Sequence, residues 1–444
     1  MSNLYTFRGG ALVPSYSTAR DISISTPDAP DTVELPIAAE GADYTLAVKE
    51  GDGVFCGQLI AECEGDVRVY SSVSGKVNGF SVCKDIHGRT FNSIIISNDK
   101  KYTPSEECVP HSKKLSETTP DEIIEKVRRL SITTDGGVAL FSVLQKGANS
   151  TRRFILNAAS DGAYSTVNYR LSIDKASDVI SGAKIIMRAL GVVNTDVVFG
   201  EDDTDAANAL SESVGKSNLF TFHMLKMKYP RTHEKLLVSA LTGRELSYPL
   251  TALDAGYVIV TPRVCADVFA AFAKGMPPVN CYVGVDGDAS TYQRTLCVPR
   301  GTSYRHIIDV CGSPSSDGAI ISVGGGLVGD VVTDYDAPHL LPAAELIVST
   351  PKPDESGECI NCGRCAAACP MRLMPMLLML NSRKKKYQRA KRQGLYECIE
   401  CGVCSFVCPE RLPVSRLIAE AKGALEEKAD SPLAEENKEV ASDE

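Results

Sequence analysis

The sequence predicts a multidomain protein of mixed α/β and β architecture that ends in a small cysteine-rich helical module. The chain has 444 residues, which exceeds one ordinary hydrophobic core and predicts two to four domains. Strand-like and helix-like runs alternate between residues 151 and 275, which is typical of an α/β layer with a largely parallel sheet. Residues 46–80 and 280–350 instead carry short apolar segments separated by Gly and Asp turns, which indicates β structure.

Composition limits the classes of function. The net charge of −9 argues against nonspecific nucleic-acid binding, because such binding needs a basic face for the phosphates. No apolar run approaches the roughly 18–20 residues of a membrane-spanning helix, and the N-terminus lacks the pattern of a secretory signal. We therefore expect a cytoplasmic protein that has no transmembrane segment of its own and could attach to a membrane through a partner.

The N-terminal part, residues 1–100, is expected to consist of paired strands. Its segment 46–80 resembles the barrel-sandwich hybrid of lipoyl and biotinyl carrier domains, with "VKEGDGVFCGQLI" and "SSVSGKV" as the two halves. Such carriers place a modifiable Lys at the hairpin tip between the halves, and Glu64 occupies that position here. Because no swinging arm can be attached without the amine, we predict a scaffold and not a carrier.

The remaining boundaries follow from changes in composition. Residues 101–120 are polar and contain Pro, and we interpret them as a linker. An amphipathic helix at "DEIIEKVRRL" opens a Rossmann-like α/β core over residues 121–275, and residues 276–350 form a second β-rich domain. The cysteine-rich module spans 351–422, and the acidic tail 423–444 is predicted to be disordered because it has almost no apolar residues.

The cysteine-rich module contains one motif twice, as "CINCGRCAAACP" and again as "CIECGVCSFVCP". Three thiolates two residues apart can bind three irons of one cubane, whereas the fourth Cys ligates the other cluster in two-cluster proteins with this spacing. Zinc is the weaker alternative, since zinc sites usually pair two C-x2-C knuckles. We therefore predict two [4Fe–4S] clusters, the first ligated by Cys359, Cys362, Cys365 and Cys408, and the second by Cys398, Cys401, Cys404 and Cys369.

The other eight cysteines occur singly in apolar or strand-like surroundings. In a cytoplasmic protein they are expected to be reduced, and Cys commonly packs as a small apolar residue. We interpret all eight as buried thiols without a role in chemistry: Cys56, Cys63, Cys83, Cys108, Cys265, Cys281, Cys297 and Cys311.

A basic run lies between the two motifs. The stretch "RKKKYQRAKR" at residues 383–392 carries seven positive charges in an otherwise acidic protein. One interpretation is a solvated helix face; the other is a docking surface for an acidic partner or an anionic lipid. The sequence leaves both open.

The order of these parts resembles that of the RnfC family. RnfC proteins are subunits of the Rnf complex, an ion-translocating ferredoxin:NAD oxidoreductase. The resemblance includes "FRGG" at residues 7–10, "ILNAASDGAYSTVNYRL" at 155–171, "ALTGREL" at 240–246 and both cysteine motifs. The stretch "VPRGTSYRHIIDVCG" at 298–312 is similar to the soluble-ligand-binding β-grasp (SLBB) domain of that family. The resemblance implies a core of the complex I flavin-subunit type and a helical dicluster ferredoxin module.

The flavin and nucleotide region departs from the family pattern. RnfC proteins carry a Gly-Gly-Ala-Gly-Phe-Pro loop over the flavin, where this sequence reads "TTDGGVALFSV". Gly136 and Gly137 remain, but Ala139 replaces the later Gly and the Pro is absent. Two family carboxylates are missing, with only Asp161 between their positions, and Arg263 is the one cation near the expected phosphate segment. We therefore expect a structural fold there in preference to FMN and NADH binding.

A glycine-rich run, "GGGLVG" at residues 324–329, invites a dinucleotide-binding interpretation. Dinucleotide fingerprints need a following helix and a downstream acid, and neither is predicted here. We predict a turn.

The resemblance implies an electron-transfer subunit, peripheral on the cytoplasmic face of the cell membrane, with other subunits of a membrane redox complex as partners. A ferredoxin or a flavoprotein is a further candidate partner. The alternative is a soluble adaptor that delivers electrons to another reductase, of the cobalamin or amino-acid reductase type. In either case we expect no complete active site in this chain alone.

Overall fold

The computed structural model describes residues 4–13, 17–39, 42–63, 67–162, 164–325, 327–351 and 357–429. The chain divides into two compact units. The first contains Met1–Tyr5, Pro14–Met227 and Ala252–Pro351, and the second contains Thr6–Val13, Lys228–Thr251 and Lys352–Glu444. Among the described residues, no helix combines the length and apolar character that crossing a membrane requires.

The N-terminal region forms two small antiparallel sheets after a first short strand. The strands are β1 (Leu4–Tyr5), β2 (Thr32–Ala39), β3 (Tyr44–Leu46), β4 (Gly53–Val54), β5 (Leu59–Cys63), β6 (Val67–Tyr70), β7 (Gly75–Lys84) and β8 (Thr90–Asn98). One sheet has the order β2-β8-β7-β4 and the other β3-β5-β6. Ile60, Ile94 and Ile96 are fully buried in the core of this region. Glu64, at the predicted carrier tip, lies outside the described residues.

The α/β core follows. Its elements, together with one helix of the second unit, are α1 (Pro120–Arg129), α2 (Leu140–Gly147), β9 (Arg153–Asn157), α3 (Val167–Asp174), α4 (Ala176–Leu190), β10 (Thr195–Gly200), α5 (Thr204–Val214), β11 (Phe220–Leu225), α6 (Glu234–Thr242), β12 (Tyr257–Val260) and α7 (Pro262–Lys274). The strands form a parallel sheet of order β1-β11-β10-β9-β12. Helices α4 and α7 pack closely because Gly182 has no side chain: a Cβ there would lie 1.8 Å from the Cys265 carbonyl oxygen. The sequence-predicted α/β core with a parallel sheet is confirmed.

The second β-rich domain is a mixed five-stranded sheet. Its elements are β13 (Asn280–Asp286), β14 (Arg294–Pro299), α8 (Tyr304–Asp309), β15 (Ile320–Val323), β16 (Asp330–Val331) and β17 (Ala343–Ser349). The order is β14-β13-β17-β15-β16, with β13 and β17 parallel at the centre and the other pairs antiparallel. The predicted turn at 324–329 is confirmed for its described residues, because β15 and β16 form the hairpin on either side of it.

The C-terminal module is helical. It contains α9 (Arg364–Ala368), α10 (Pro375–Arg383), α11 (Tyr387–Arg392), α12 (Val403–Phe406) and α13 (Val414–Ala429). Leu378, Leu395 and Ile418 are buried at its centre, and cysteines of both motifs pack against them.

Several predicted boundaries need correction. β1 joins the core sheet and not the N-terminal sheets, and residues 6–13 and 228–251 belong to the second unit. These segments are short, so their own sequence carries no signal of where they pack. Helix α13 continues to Ala429, beyond the predicted start of the tail at residue 423. The side chain of Leu425 is buried, and this packing stabilises the additional turn. Residues 430–444 lie outside the described residues.

The predicted linker, residues 101–120, is packed against the protein. The Cys56 N–H donates to the Thr103 carbonyl at 2.9 Å, and the His111 N–H donates to the Phe272 carbonyl at 2.8 Å. Its last residues also cap α1, since Thr119 and Glu122 form a capping box. Polar composition hid these contacts, because they are made by backbone groups.

Candidate iron–sulfur centres

Both cysteine loops curl through left-handed backbone at equivalent positions. Asn361 and Gly363 have φ of 55° and 75° in the first motif, and Glu400 and Gly402 have 54° and 79° in the second. This conformation is disfavoured for residues with a Cβ and open to glycine. Its repetition at matched positions turns each loop so that the cysteines of one motif face a common space.

The two motifs line two cavities and exchange one cysteine each. The first cavity is lined by Cys359, Cys362 and Cys365 of the first motif and by Cys408 of the second. The second cavity is lined by Cys398, Cys401 and Cys404 of the second motif and by Cys369 of the first. The structure thus brings together the two sets of four cysteines that the spacing predicts.

The donor set of each cavity fits a cluster. Four soft thiols surround each space, and backbone amides point at the sulfurs: the Leu373 N–H donates to Cys369 Sγ and the Glu400 N–H to Cys398 Sγ, each at 3.4 Å. Among the described residues, no three or more His, Cys, Asp or Glu side chains are arranged to hold a single metal ion. Four cysteines line each cavity, and four cysteine thiolates are the ligand set of a [4Fe–4S] cubane.

The two cavities differ in exposure. Cys362 of the first cavity is exposed, and the neighbouring Ile360 and Phe406 present apolar side chains to solvent. Cys404 of the second cavity is buried. Burial raises the pKa of Cys401 and of Cys404 to about 12, so metal binding in the second cavity must displace protons from these thiols.

The segment that contains "FRGG" packs against the cysteine module. The Gly10 N–H donates to the Ala368 carbonyl at 2.7 Å. Gly9 has φ of +69°, and a Cβ there would lie 2.5 Å from the Cys369 carbonyl oxygen. The pair of glycines therefore allows the chain to lie directly on the backbone of a second-cavity cysteine.

A second segment, residues 228–251, packs on the same module. Tyr248 stacks on Tyr396 with ring centroids 5.2 Å apart, and its N–H donates to the Glu397 carboxylate. Glu245 and Arg372 form an exposed ion pair. Sequence reasoning missed these neighbours of Cys398 and Cys369, although "FRGG" and "ALTGREL" marked both segments as parts of the family pattern.

Comparison with known proteins places these features in a family. The "RnfC Barrel sandwich hybrid domain" matches residues 5–101, the "Nuo51 FMN-binding domain" 127–269 and the "4Fe-4S dicluster domain" 353–409. The C subunit of the proton-translocating ferredoxin:NAD(+) oxidoreductase complex of Clostridium ljungdahlii is 31% identical over 88% of this chain and 87% of its own length. The chain belongs to the RnfC family.

Other RnfC relatives agree. The C subunit of the Na(+)-translocating ferredoxin:NAD(+) oxidoreductase complex of Acetobacterium woodii is 29% identical over 86% of this chain and 89% of its own length. The C subunit of the Rhodobacter capsulatus ion-translocating oxidoreductase complex is 28% identical over 96% of this chain and 84% of its own length.

Among solved structures, a chain of an NAD+-reducing [NiFe]-hydrogenase shares 13% identity at a TM-score of 0.45, over 72% of this chain and 59% of its own length.

This RnfC chain carries two [4Fe–4S] clusters in its dicluster domain, and its core has the FMN-binding fold of the Nuo51 type. Gly136 and Gly137 lie at an exposed turn, with no neighbouring atom within 4 Å of where a Cβ would stand. Arg263 is fully buried. Its Nε lies 2.6 Å from Asp135 Oδ1, and its Nη1 lies 2.7 Å from Asp267 Oδ2.

These contacts make Arg263 a structural residue. Its third nitrogen, Nη2, donates to the Thr133 carbonyl at 2.6 Å, so all three guanidinium nitrogens are bound by protein groups. Burial raises the pKa of Asp267, and the adjacent guanidinium opposes that shift. Arg263 ties the glycine loop to α7 and has no nitrogen left without a protein partner, so its candidacy as a phosphate ligand is not supported.

A second arginine, Arg20, binds residues that follow the carboxyl ends of β9 and β10. Arg20 Nη1 donates to Ser160 Oγ at 3.0 Å, Arg20 Nη2 lies 2.6 Å from Asp203 Oδ1, and the guanidinium lies 3.7 Å from the Tyr169 ring centroid. Carboxyl ends of parallel strands are where ligands of such sheets bind. Here the residue before Asp161, Ser160, is held by an arginine of the same chain.

The eight remaining cysteines are free thiols. Five are buried and three are partly exposed. The prediction of burial is therefore confirmed for Cys56, Cys83, Cys265, Cys281 and Cys311, and is only partly met by Cys63, Cys108 and Cys297.

Proposed function

We propose that this chain relays single electrons through two [4Fe–4S] clusters as a peripheral subunit of an Rnf-type membrane complex, on the cytoplasmic face. The observation that carries the proposal is the exchange of Cys369 and Cys408 between the two cavities. Exchanged ligands hold two centres close together, which shortens the path for an electron. The relatives named above are subunits of ion-translocating ferredoxin:NAD(+) oxidoreductase complexes, which supports the assignment of the partners.

The ligand sets follow the cavities. The first cluster is held by Cys359, Cys362, Cys365 and Cys408, and the second by Cys398, Cys401, Cys404 and Cys369. When bound, the clusters supply reversible one-electron chemistry. The protein's own residues provide thiolates, amide donors such as the Glu400 N–H, and different degrees of solvent exclusion.

The α/β core takes a structural role in this proposal. Arg20 and Arg263 hold the strand-end loop and the glycine loop with protein carboxylates. The chain therefore receives electrons from a redox partner and does not accept hydride from NADH itself. Electron transfer through the two clusters does not depend on whether the core binds a flavin.

An anaerobic titration tests both. The chain is reconstituted with clusters, FMN is supplied, and visible bleaching is followed with NADH and then with dithionite. We expect no bleaching by NADH and full bleaching by dithionite. Bleaching by NADH would show that the core binds flavin and nucleotide, and a chain that dithionite fails to bleach would contradict the relay.

The alternative, a soluble adaptor for another reductase, uses the same relay. Arg20 and Arg263 are paired with protein carboxylates at the loops where the family binds its flavin. A chain without a flavin takes no direct part in NAD chemistry, and this favours the adaptor. Copurification decides between the two. Recovery of the native chain with membrane subunits supports the Rnf-type complex, and recovery with a soluble reductase supports the adaptor.

A further inference from the structure

The strongest charged feature outside the cysteine cavities is the basic ridge, which comprises Arg383, Lys384, Lys385, Lys386, Arg389, Lys391 and Arg392. All seven side chains are exposed. Within the part of the chain that the structure describes, none of them forms an ion pair. Seven unpaired positive charges within ten residues repel one another, and they do so in a chain whose net charge is −9.

The ridge has a fixed shape. It comprises the end of α10, a turn and α11, and its two sides are joined by a hydrogen bond of 2.7 Å from Asn381 Nδ2 to Gln393 Oε1. Ala390 and Leu395 anchor it in the apolar core of the module. Lys385 takes a left-handed φ of 52°, a conformation that costs energy for a residue with a Cβ. A solvated helix face needs none of these features.

The ridge adjoins the second cavity through aromatic side chains. Lys391 Nζ lies 5.5 Å from the centre of the Tyr396 ring, within the range of a cation–π contact. Tyr396 stacks on Tyr248, which is 54% exposed, and Tyr396 precedes the cavity residue Cys398 by two positions. A partner seated on the ridge would therefore lie beside the segment that leads into the second-cavity residue Cys398.

We propose that the basic ridge docks an acidic redox protein that exchanges electrons with the second cluster. This inference rests on the proposed relay and adds the chemistry of the partner and the face that it uses. The charge of the ridge is complementary to an acidic protein surface, and such complementarity steers diffusional encounter.

A lipid surface fits the ridge less well. Helices that lie in a membrane interface combine cations with exposed large apolar side chains that insert between the lipids. Within the ridge itself, residues 383–392, no large apolar side chain is exposed; the exposed Met374 and Phe406 lie outside it, before α10 and in α12. A lipid headgroup would also make no use of the tyrosine pair beside Cys398.

Stopped-flow reduction of the cluster-loaded full chain by a prereduced small acidic ferredoxin tests the proposal. The ridge variant is Arg389→Glu, Lys391→Glu and Arg392→Glu combined. The matched control is Lys49→Glu, Lys76→Glu and Lys84→Glu, three exposed cations of the N-terminal region, with the same change in charge. At low salt we expect the ridge variant to lose about tenfold or more of the second-order rate and most of its salt dependence, and the control to keep both.

Four outcomes are decisive. Equal rates of reduction by ferredoxin in the wild type and the ridge variant would overturn the docking surface. Equal losses of rate in the ridge variant and the control would overturn it as well. In both cases full bleaching by dithionite would leave the relay intact. Binding of the wild type but not the ridge variant to phosphatidylcholine vesicles with phosphatidylserine, at unchanged electron-transfer rates, would assign the ridge to anionic lipid. Failure of dithionite to bleach the wild-type clusters would contradict the relay itself.

Discussion

The C-terminal module and the α/β core handle their functional groups in opposite ways. In the module, the eight motif cysteines line two cavities, and backbone amides donate to the sulfurs of Cys369 and Cys398. In the core, Arg20 and Arg263 lie inside the protein within 2.6 Å of carboxylate oxygens. In the module the cysteine thiols surround open volumes that a cofactor can enter, whereas in the core the two arginines are already paired with carboxylates of the same chain.

Loss of a cluster ligand should give the largest effect and sharpen this comparison. Cys369→Ser should remove the second cluster, and Cys408→Ser the first, so each variant should retain about half of the iron. If the cysteines are exchanged, the reduced Cys369→Ser protein should match Cys401→Ser in its paramagnetic resonance spectrum, and Cys408→Ser should match Cys362→Ser. A Cys369→Ser spectrum equal to that of Cys362→Ser would contradict the exchange.

A serine variant outside the module is the control for that series. Cys63→Ser changes a half-buried thiol that donates to the Ile37 carbonyl at 2.8 Å, a hydrogen bond that a hydroxyl can keep. Iron content and spectrum should not change in this variant. A loss of iron there would mean that serine substitution harms the fold and not the ligand set.

A substitution in the core should lower the stability of the protein and leave the clusters unchanged. Arg263→Met leaves Asp135 and Asp267 without their buried cation, and breaking a buried pair of this kind typically costs about 3–5 kcal/mol. The free energy of unfolding of the core should fall by that amount in denaturant titrations, with cluster absorbance per folded chain unchanged. Arg305→Met is the control, because its ion pair with Asp336 is exposed and screened by solvent, so its loss should change stability little. Equal losses in the two variants would contradict a structural role for Arg263.

The contrast between module and core was partly visible in the sequence. Motif spacing predicts which cysteines share a cavity, because the ligand geometry of a cubane constrains spacing directly. The missing glycine and carboxylates predict a core without the family's flavin contacts, and the NADH titration tests that prediction.

What the sequence could not supply are contacts between distant segments. Arg20 lies far along the chain from Ser160 and Asp203, and nothing near it in sequence marks it as the residue that fills the strand ends. The same holds for Gly9 beside Cys369 and for Tyr248 on Tyr396. The packing of residues 6–13 and 228–251 on the module depends on tertiary structure, which composition and periodicity do not encode.

The interior of the first unit also contains a carboxyl group that should make its stability depend on pH. Burial raises the pKa of Glu345 from 4.5 to about 7, although the Val167 and Thr166 N–H groups and the Thr166 hydroxyl donate to it. Because the folded protein holds this proton more tightly, the stabilising contribution is complete below pH 4.5 and is lost as the pH rises to 7. The loss is about 3 kcal/mol.

Thermal unfolding from about pH 4.5 to 8 tests this point. Glu345→Gln should flatten the decline in stability that the wild type shows toward neutral pH, whereas Glu50→Gln, at an exposed position, should leave it unchanged. Identical pH profiles for Glu345→Gln and the wild type would contradict it. Cluster absorbance should not follow the pH profile in either variant, since Glu345 lies in the first unit and the cysteines in the second.

The smallest effect is expected where the "FRGG" segment meets the module. Gly9→Ala adds a Cβ that would lie 2.5 Å from the Cys369 carbonyl oxygen, in a residue with φ of +69°. Gly191→Ala is the matched control, since its φ is +66° and nothing lies within 4 Å of its Cβ position. Both variants bear the left-handed cost of about 1 kcal/mol, and only Gly9→Ala adds the steric clash, for a total of about 2 kcal/mol.

The two glycine variants should also differ in how firmly the second cluster is held. Displacing residues 9 and 10 would break the hydrogen bond from the Gly10 N–H to the Ala368 carbonyl and expose the backbone beside Cys369. Loss of visible absorbance in the presence of an iron chelator should therefore be faster in Gly9→Ala, and confined to the second cluster, while Gly191→Ala keeps the wild-type rate. Equal chelation rates in all three proteins would mean that this segment packs on the module without protecting its cluster, and the module would then hold both clusters by its own residues alone.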